Sequence, residues 1–134
     1  MKIVHVPTPC KFVEAMEEAK KTYKLVFALF TGEKAADGSS WCPDCVRADP
    51  IIKKHLETLP DVCLLECAVK RSEYKGNPKY PYRCGKFRVA GGIPTLHWVN
   101  APSGFDVPPV GEKDCSNDEM VKMWVSFVKE SISK

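Results

Sequence analysis

The sequence predicts an α/β fold, with helices on both faces of a central mixed β-sheet, and three observations support it. Two continuous apolar runs, Leu25–Thr31 and Val62–Val69, have the length of strands and are apolar on both faces, which is typical of strands covered by helices on either side. Segments with helical periodicity alternate with such strands along the chain. The 134 residues contain no repeat or linker, so we expect residues 1–134 to form a single domain.

The first part of the chain predicts a strand, a helix and the start of a second helix around the first apolar run. Residues Lys2–Val6 alternate apolar and polar side chains, as in a half-buried strand. Apolar side chains recur at helical spacing over Pro9–Tyr23, and proline suits the first turn of a helix. Lys34–Ser40 has the composition of a loop, and the second helix is expected to begin at Cys42 or Pro43.

The second part predicts a short helix around Tyr82–Phe87, a strand at Thr95–Val99 and a short edge strand near Phe105–Val107. Ser116 or Asn117 is expected to cap a last helix, because both side chains can accept a hydrogen bond from the first turn. The apolar side chains that recur at helical spacing in this helix are Met120, Met123, Trp124, Phe127 and Val128.

Composition limits the classes of function. The net charge of +3 and the isoelectric point near 8.4 do not indicate nucleic-acid binding, and no apolar run is long enough for a signal peptide or a membrane span. The basic segment Lys70–Arg88 carries aromatic side chains, but a solvated segment beside a helix explains it better than single-stranded nucleic acid. We therefore expect a cytoplasmic protein whose seven cysteines are not paired in structural disulfides.

Cys42 and Cys45 form a Cys-x-x-Cys pair where a strand is predicted to lead into a helix. A cysteine at a helix N-terminus faces unpaired backbone N–H groups and the positive end of the helix dipole, which favour a thiolate. Cys45 lies one turn further on, and Pro43 restricts the conformations of that turn. The charge of Asp44 opposes a neighbouring thiolate but favours the start of the helix, and the sequence does not decide which effect is larger.

A structural zinc site is an alternative that the spacing leaves open. One Cys-x-x-Cys supplies two of the four ligands that such a site needs. Cys63 and Cys67 lie on one predicted strand, about 13 Å apart at ~3.3 Å per residue, so they cannot share an ion and are expected to be small buried side chains. Cys84 and Cys115 could serve as further zinc ligands only if folding brought them next to Cys42 and Cys45. If Cys115 binds no metal, we expect it to be exposed.

The residues Trp41-Cys42-Pro43-Asp44-Cys45 resemble the thioredoxin superfamily and, within it, the branch of cytosolic 14-kDa thioredoxin-related proteins with a WCPDC motif. Pro50 matches the proline in the second helix of thioredoxins, and Ile93-Pro94-Thr95 resembles their cis-proline loop. The long connection after Phe30-Thr31-Gly32 and the GEKDC sequence at Gly111–Cys115 are similar to the branch. The resemblance covers essentially the whole chain and implies the thioredoxin fold.

The resemblance also implies a thiol–disulfide oxidoreductase. Cys42 would be the attacking thiolate and Cys45 the resolving thiol, with Cys42–Cys45 as the redox-active disulfide. Their neighbours would be Trp41, Pro43, Asp44, Ile93 and Pro94, with Trp41 shielding the thiolate. No bound cofactor or metal is implied, since thioredoxin reductase would supply electrons from NADPH. The implied substrates are small or accessible disulfides such as cystine, along with nitrosothiols and persulfides, and a dynein light chain is a further implied partner.

Two points remain open at this stage. A redox-sensing module that binds a partner protein is an alternative on the same fold. Leu25–Thr31 also lacks the buried acidic residue that thioredoxins use as a base for the resolving thiol, so water, Glu33, Asp37 or Asp44 would have to accept its proton. We further hypothesise that the loop Glu33–Ser40 and the segment Lys70–Arg88 border the site and restrict the substrates that dock.

Overall fold

A computed structural model describes residues 1–89, 91–102 and 107–133, and a four-stranded sheet lies at its centre. Its strands are β1 (Lys2–Val6), β2 (Leu25–Gly32), β3 (Val62–Val69) and β4 (Thr95–Trp98). The order across the sheet is β1-β3-β2-β4, with β3 parallel to both β1 and β2, and β4 antiparallel to β2. The predicted mixed sheet is confirmed, and the strands begin where the sequence placed them.

The helices of the described residues are α1 (Phe12–Thr22), α2 (Pro43–Leu56), α3 (Arg71–Tyr74) and α4 (Asp118–Ile132), with 3₁₀ turns at Pro9–Lys11 and Pro81–Arg83. The predicted cap of the last helix is confirmed, because the Asn117 side chain accepts the Met120 N–H at 3.2 Å. None of these helices has the length and apolar character that would be needed to cross a membrane.

Helices pack on both faces of the sheet, as predicted. Alternate side chains of β2 and β3 point to opposite faces, so the sheet separates two apolar clusters. Phe30 belongs to the cluster that includes Phe12 of α1, whereas Phe27 belongs to the cluster that includes Ile52 of α2 and Val125 of α4. Cys42 and Cys45, at the start of α2, belong to the same cluster as Phe30.

The apolar face predicted for α4 is wrong in part. The side chains buried against the sheet and α2 are Val121, Val125 and Val128, while Met120 and Met123 are 41% and 64% exposed. Apolar residues cover more than half of the circumference of this helix, so its periodicity fits two adjacent stripes. The valine stripe is the one that packs on the core.

The short helix predicted around Tyr82–Phe87 is also wrong. This segment forms only the 3₁₀ turn Pro81–Arg83 and then an irregular stretch with Gly85 at φ 88°. The aromatic rings of Tyr80 and Tyr82 are buried without a helix to carry them. The edge strand predicted near Phe105–Val107 lies largely outside the described residues; within them, Val110 pairs with Leu96 of β4 through two backbone hydrogen bonds of 2.9 Å.

Candidate active site around Cys42 and Cys45

A short hairpin between β2 and α2 fixes the position of the Cys-x-x-Cys pair. Lys34 and Ser40 pair in an isolated antiparallel bridge, which folds the loop back on itself. The Ser40 hydroxyl donates to the Gly32 carbonyl at 3.0 Å and accepts the Cys42 N–H at 3.2 Å. Because one side chain bonds both ends of the connection, the entry to α2 is held against the end of β2.

Gly32 allows that close approach. A Cβ atom at this position would lie 2.6 Å from Ser40 Oγ and 2.8 Å from Cys42 Cβ, closer than atoms pack. Its backbone N–H also donates to Cys45 Sγ at 3.3 Å. The FTG sequence at the end of β2 therefore has a steric role and a hydrogen-bonding role in the site.

The two thiols lie at the start of α2 in unequal surroundings. Cys42 is the N-cap residue, and its sulfur accepts the Cys45 N–H at 3.3 Å. The Cys45 thiol donates to Cys42 Sγ, with 2.6 Å between the sulfur atoms. Since a disulfide bond is about 2.05 Å long, the two sulfurs need only a small shift to bond.

Burial raises the pKa of the Cys45 thiol to about 12, and the contact with Cys42 adds to this effect. The N–H of Gly32 and the hydroxyl of Thr31 lower it only partly. Cys45 thus keeps its proton at neutral pH and can share it with Cys42. The Cys42 sulfur at the N-cap of α2 thus accepts a hydrogen bond, and the Cys45 sulfur one turn further along the helix carries the proton.

The other residues predicted at the site surround Cys42. The Cys42 thiol lies 3.8 Å from the carbonyl oxygen of Ile93, which precedes Pro94 through a cis peptide bond. Trp41 is half-buried, and its indole N–H donates to the Val69 carbonyl at 2.9 Å. Trp41, Cys42 and Ile93 line one groove. The prediction that Cys42 and the Ile93–Pro94 loop face each other is confirmed.

Pro43 occupies the first turn of α2, and the carboxylate of the next residue, Asp44, forms an ion pair with Arg47 at the surface of the helix. Arg47 therefore partly balances the charge of Asp44 and weakens its effect on Cys42. Asp37 accepts hydrogen bonds from the backbone and side chain of Ser39. Among the described residues, no carboxylate accepts a hydrogen bond from the Cys45 thiol, which donates to Cys42 Sγ.

A cluster of four charges that the sequence did not suggest lies one helical turn from Cys45. Glu66 of β3 is 5% exposed, and its carboxylate lies 3.1 Å from Lys34 Nζ and 3.3 Å from Lys53 Nζ. Asp49, at i+4 from Cys45 on α2, pairs with Lys53 at 3.0 Å and with Lys34 at 3.4 Å. The cluster ties the hairpin to α2 and β3. A single acid within the apolar run VCLLECAV was the signal in the sequence.

The remaining cysteines do not join the pair. Cys63 and Cys67 are buried in the core, as expected, and Cys10 and Cys84 are exposed. The expectation that Cys115 is exposed is wrong, since its thiol is fully buried and donates to the Val110 carbonyl at 3.2 Å. Within residues 1–89, 91–102 and 107–133, no three ligand-type side chains converge as a metal site would require.

Comparison with known proteins agrees with this geometry. The family model described as "Thioredoxin domain-containing protein 17-like, thioredoxin domain" matches residues 6–126, which include the whole site. The chain belongs to this family. It is thus a thioredoxin-like protein, and the family as a whole is of thiol–disulfide oxidoreductase type.

Individual relatives match over most of their length. Thioredoxin domain-containing protein 17 of Homo sapiens is 34% identical over 77% of this chain and 79% of its own. The protein of the same name from Mus musculus is 32% identical over 82% of this chain and 86% of its own. The thioredoxin-like protein Clot of Arabidopsis thaliana is 40% identical over 54% of this chain and 56% of its own.

Proposed function

We propose that the protein reduces small or accessible disulfides, such as cystine, through the dithiol of Cys42 and Cys45. The observation that carries the proposal is the asymmetry of the pair. Cys42 Sγ accepts hydrogen bonds from the N–H and the thiol of Cys45, while burial raises the pKa of Cys45 to about 12. Cys42 is therefore the sulfur that attacks the substrate, and Cys45 keeps its proton until the mixed disulfide has formed.

In the proposed first step, the Cys42 thiolate attacks one sulfur of the substrate disulfide. A bond forms between Cys42 Sγ and that sulfur, the substrate S–S bond breaks, and the other half leaves as a thiolate. Cys45, 2.6 Å away, then gives its proton to solvent water and attacks Cys42 Sγ. This releases the second half as a thiolate and leaves the Cys42–Cys45 disulfide, so the protein has given two electrons to the substrate.

A reductant must return the disulfide to the dithiol. We propose thioredoxin reductase in this role, with NADPH as the source of the electrons, and the reducing environment of the cytoplasm as the setting. The preference for small disulfides is supported by the depth of the thiols, since Cys42 is 6% and Cys45 is 2% exposed. Arg71, Tyr74 and Lys75 also border the site, in agreement with the role expected for the basic segment.

The test is NADPH consumption with thioredoxin reductase, with cystine or insulin as the substrate. We expect the wild type to turn over cystine faster than insulin. Cys42→Ser should abolish turnover, and Cys45→Ser should accumulate a mixed disulfide that mass spectrometry detects on Cys42. A reductase shown to be active on a control thioredoxin, with no turnover by this protein, would instead favour the redox-sensing module that binds a partner.

A further inference from the structure

The groove beside Cys42 has the size of a small ligand. Its volume is about 290 Å³, just below the range of roughly 300–1,000 Å³ that is usual for pockets of drug-sized ligands. Cys42 and Ile93 lie in its wall, so a molecule in the groove would lie against the attacking sulfur. A group the size of one amino acid fits this space better than a loop of a folded protein.

Two cations line the groove without an ion-pair partner. Arg71 is the first residue of α3 and Lys75 is its C-cap, and both exposed side chains line the groove. The ammonium of Lys75 lies 5.9 Å from the centre of the ring of Trp41, the residue before Cys42. Neither side chain has an ion pair with any described residue.

The short segment that carries these cations, α3 and its C-cap residue Lys75, is anchored. Tyr74 is buried between Trp41 and Tyr80, with ring centres 6.2 Å and 5.9 Å away. The guanidinium of Arg83 lies 3.9 Å from the Tyr74 ring and donates to the Tyr74 carbonyl at 3.1 Å. Because the backbone between the two cations is held in place, binding of an anion has to order only their side chains.

A carboxylate lies in the same groove. Glu112 packs against Gly92, directly before the Ile93–Pro94 loop, and has no ion pair among the described residues. The other acid of the groove, Asp44, is already paired with Arg47. Around the attacking sulfur the groove therefore offers two available positive charges and one available negative charge.

We propose that this groove selects amino-acid disulfides, with Arg71 and Lys75 binding the α-carboxylate and Glu112 binding the α-ammonium group. The inference rests on the proposed function and adds to it the residues that recognise the substrate. A disulfide whose arms carry both charges next to the sulfur, as cystine does, complements the groove. The redox step is the one given above, and Arg71, Lys75 and Glu112 take no part in electron transfer.

Cystine and two analogues, each of which lacks one of its two kinds of charged group, test the proposal. Cystamine is cystine without its carboxylates, and 3,3′-dithiodipropionate is cystine without its amino groups. The rate at which each forms a mixed disulfide with the Cys45→Ser variant is measured by mass spectrometry, which needs no reductase. The double variant Arg71→Ala/Lys75→Ala should lower the rates for cystine and dithiodipropionate by about 5- to 30-fold and spare cystamine. Glu112→Gln should slow cystine and cystamine and spare dithiodipropionate.

The double variant Lys79→Ala/Lys129→Ala is the matched control, because it removes the same charge from exposed sites outside the groove. We expect it to leave all three rates unchanged. Equal losses in this control would mean that net charge steers the substrates, and equal losses for all three disulfides in Arg71→Ala/Lys75→Ala would mean that the variant alters Cys42 rather than the binding of a carboxylate. Either result would overturn the assignment of Arg71 and Lys75.

Binding without reaction separates the inference from the proposed function. S-methylcysteine carries the same charged groups but has no disulfide, so its titration, followed by the NMR signal of the Trp41 indole N–H, reports the groove alone. Binding that Arg71→Ala/Lys75→Ala abolishes, in a protein that reduces nothing, would support the inference and refute the function. Reduction of disulfides with no binding and no dependence on charge would support the function and refute the inference; neither binding nor reduction would refute both.

Discussion

The buried charge cluster makes a stability prediction whose magnitude can be worked out. The perturbation is a double-mutant cycle on Glu66 and Lys53, which measures their coupling from Glu66→Gln, Lys53→Met and the double variant. At 3.3 Å, two unit charges attract by roughly 5 kcal/mol at an effective dielectric constant of about 20. Loss of hydration opposes this attraction, and Asp49 and Lys34 share the two charges, so we expect a net coupling of about 1–3 kcal/mol.

The pKa of Lys53 supports a favourable coupling with the carboxylates. Burial alone would lower the pKa of Lys53, but the hydrogen bond to Asp49 and the charge of Glu66 outweigh it, so its pKa lies above the ordinary value. The folded state therefore favours the charged lysine. Glu66→Gln alone leaves two ammonium groups with one carboxylate, and we expect it to lower the free energy of unfolding by about 2 kcal/mol.

Urea unfolding at pH 7 measures the cycle. With a dependence on urea of about 2 kcal/mol per molar, Glu66→Gln should lower the midpoint by about 1 M. The exposed pair Glu18 and Lys21, 3.9 Å apart, is the control, and its coupling should be at most about 0.5 kcal/mol and vanish in 1 M salt. A coupling of Glu66 and Lys53 no larger than that of the control, with the same sensitivity to salt, would refute this account of the cluster.

Three further predictions concern the site and the helix caps. Gly32→Ala should lower the free energy of unfolding by about 1–3 kcal/mol and slow disulfide reduction, because the added Cβ would overlap Cys42. Gly111→Ala is the control, since an added Cβ there meets no described atom within 4 Å, and an equal effect of this variant would contradict the prediction. The Cys45 thiol has its ordinary pKa of 9.0 in the unfolded chain and a pKa of about 12 in the folded protein, so the free energy of unfolding should fall as pH rises above about 9. Urea unfolding from pH 7 to 11 should show a shallower fall for Cys45→Ala than for the wild type. Equal falls would contradict that assignment. Asn117→Ala should cost about 1 kcal/mol by urea unfolding, and a similar loss in Ser116→Ala would show that the cap is not the cause.

Local patterns predicted most of the fold. The strands β1, β2 and β3 and the caps of α2 and α4 were found from sequence because each depends on neighbouring residues: an apolar run, a proline in the first turn, an asparagine before a helix. The face of α4 was not, because Met120 and Val121 satisfy the same periodicity one position apart. The choice between them depends on what the helix packs against, which the sequence of the helix does not contain.

The site shows the same division. The motif itself predicted Cys42 and Cys45, and the resemblance to thioredoxins predicted that Ile93 would face them from far along the chain. Glu66 and Arg71 were missed as individual residues because their neighbours come from other segments. Glu66 lies on β3 and meets Lys34 and Lys53, which come from the hairpin and from α2. Arg71 lies on a helix of four residues whose position depends on the burial of Tyr74.

The distribution of the cysteines has a practical consequence for anyone who follows the oxidation state of this protein. An alkylating reagent added to the native chain will label the exposed Cys10 and Cys84 first, whatever the state of the pair at the start of α2. A count of free thiols will therefore include two thiols that take no part in the redox change. A chain with Cys10→Ser and Cys84→Ser removes that background, and Cys42, which lines the groove, is then the thiol that the reagent reaches most directly.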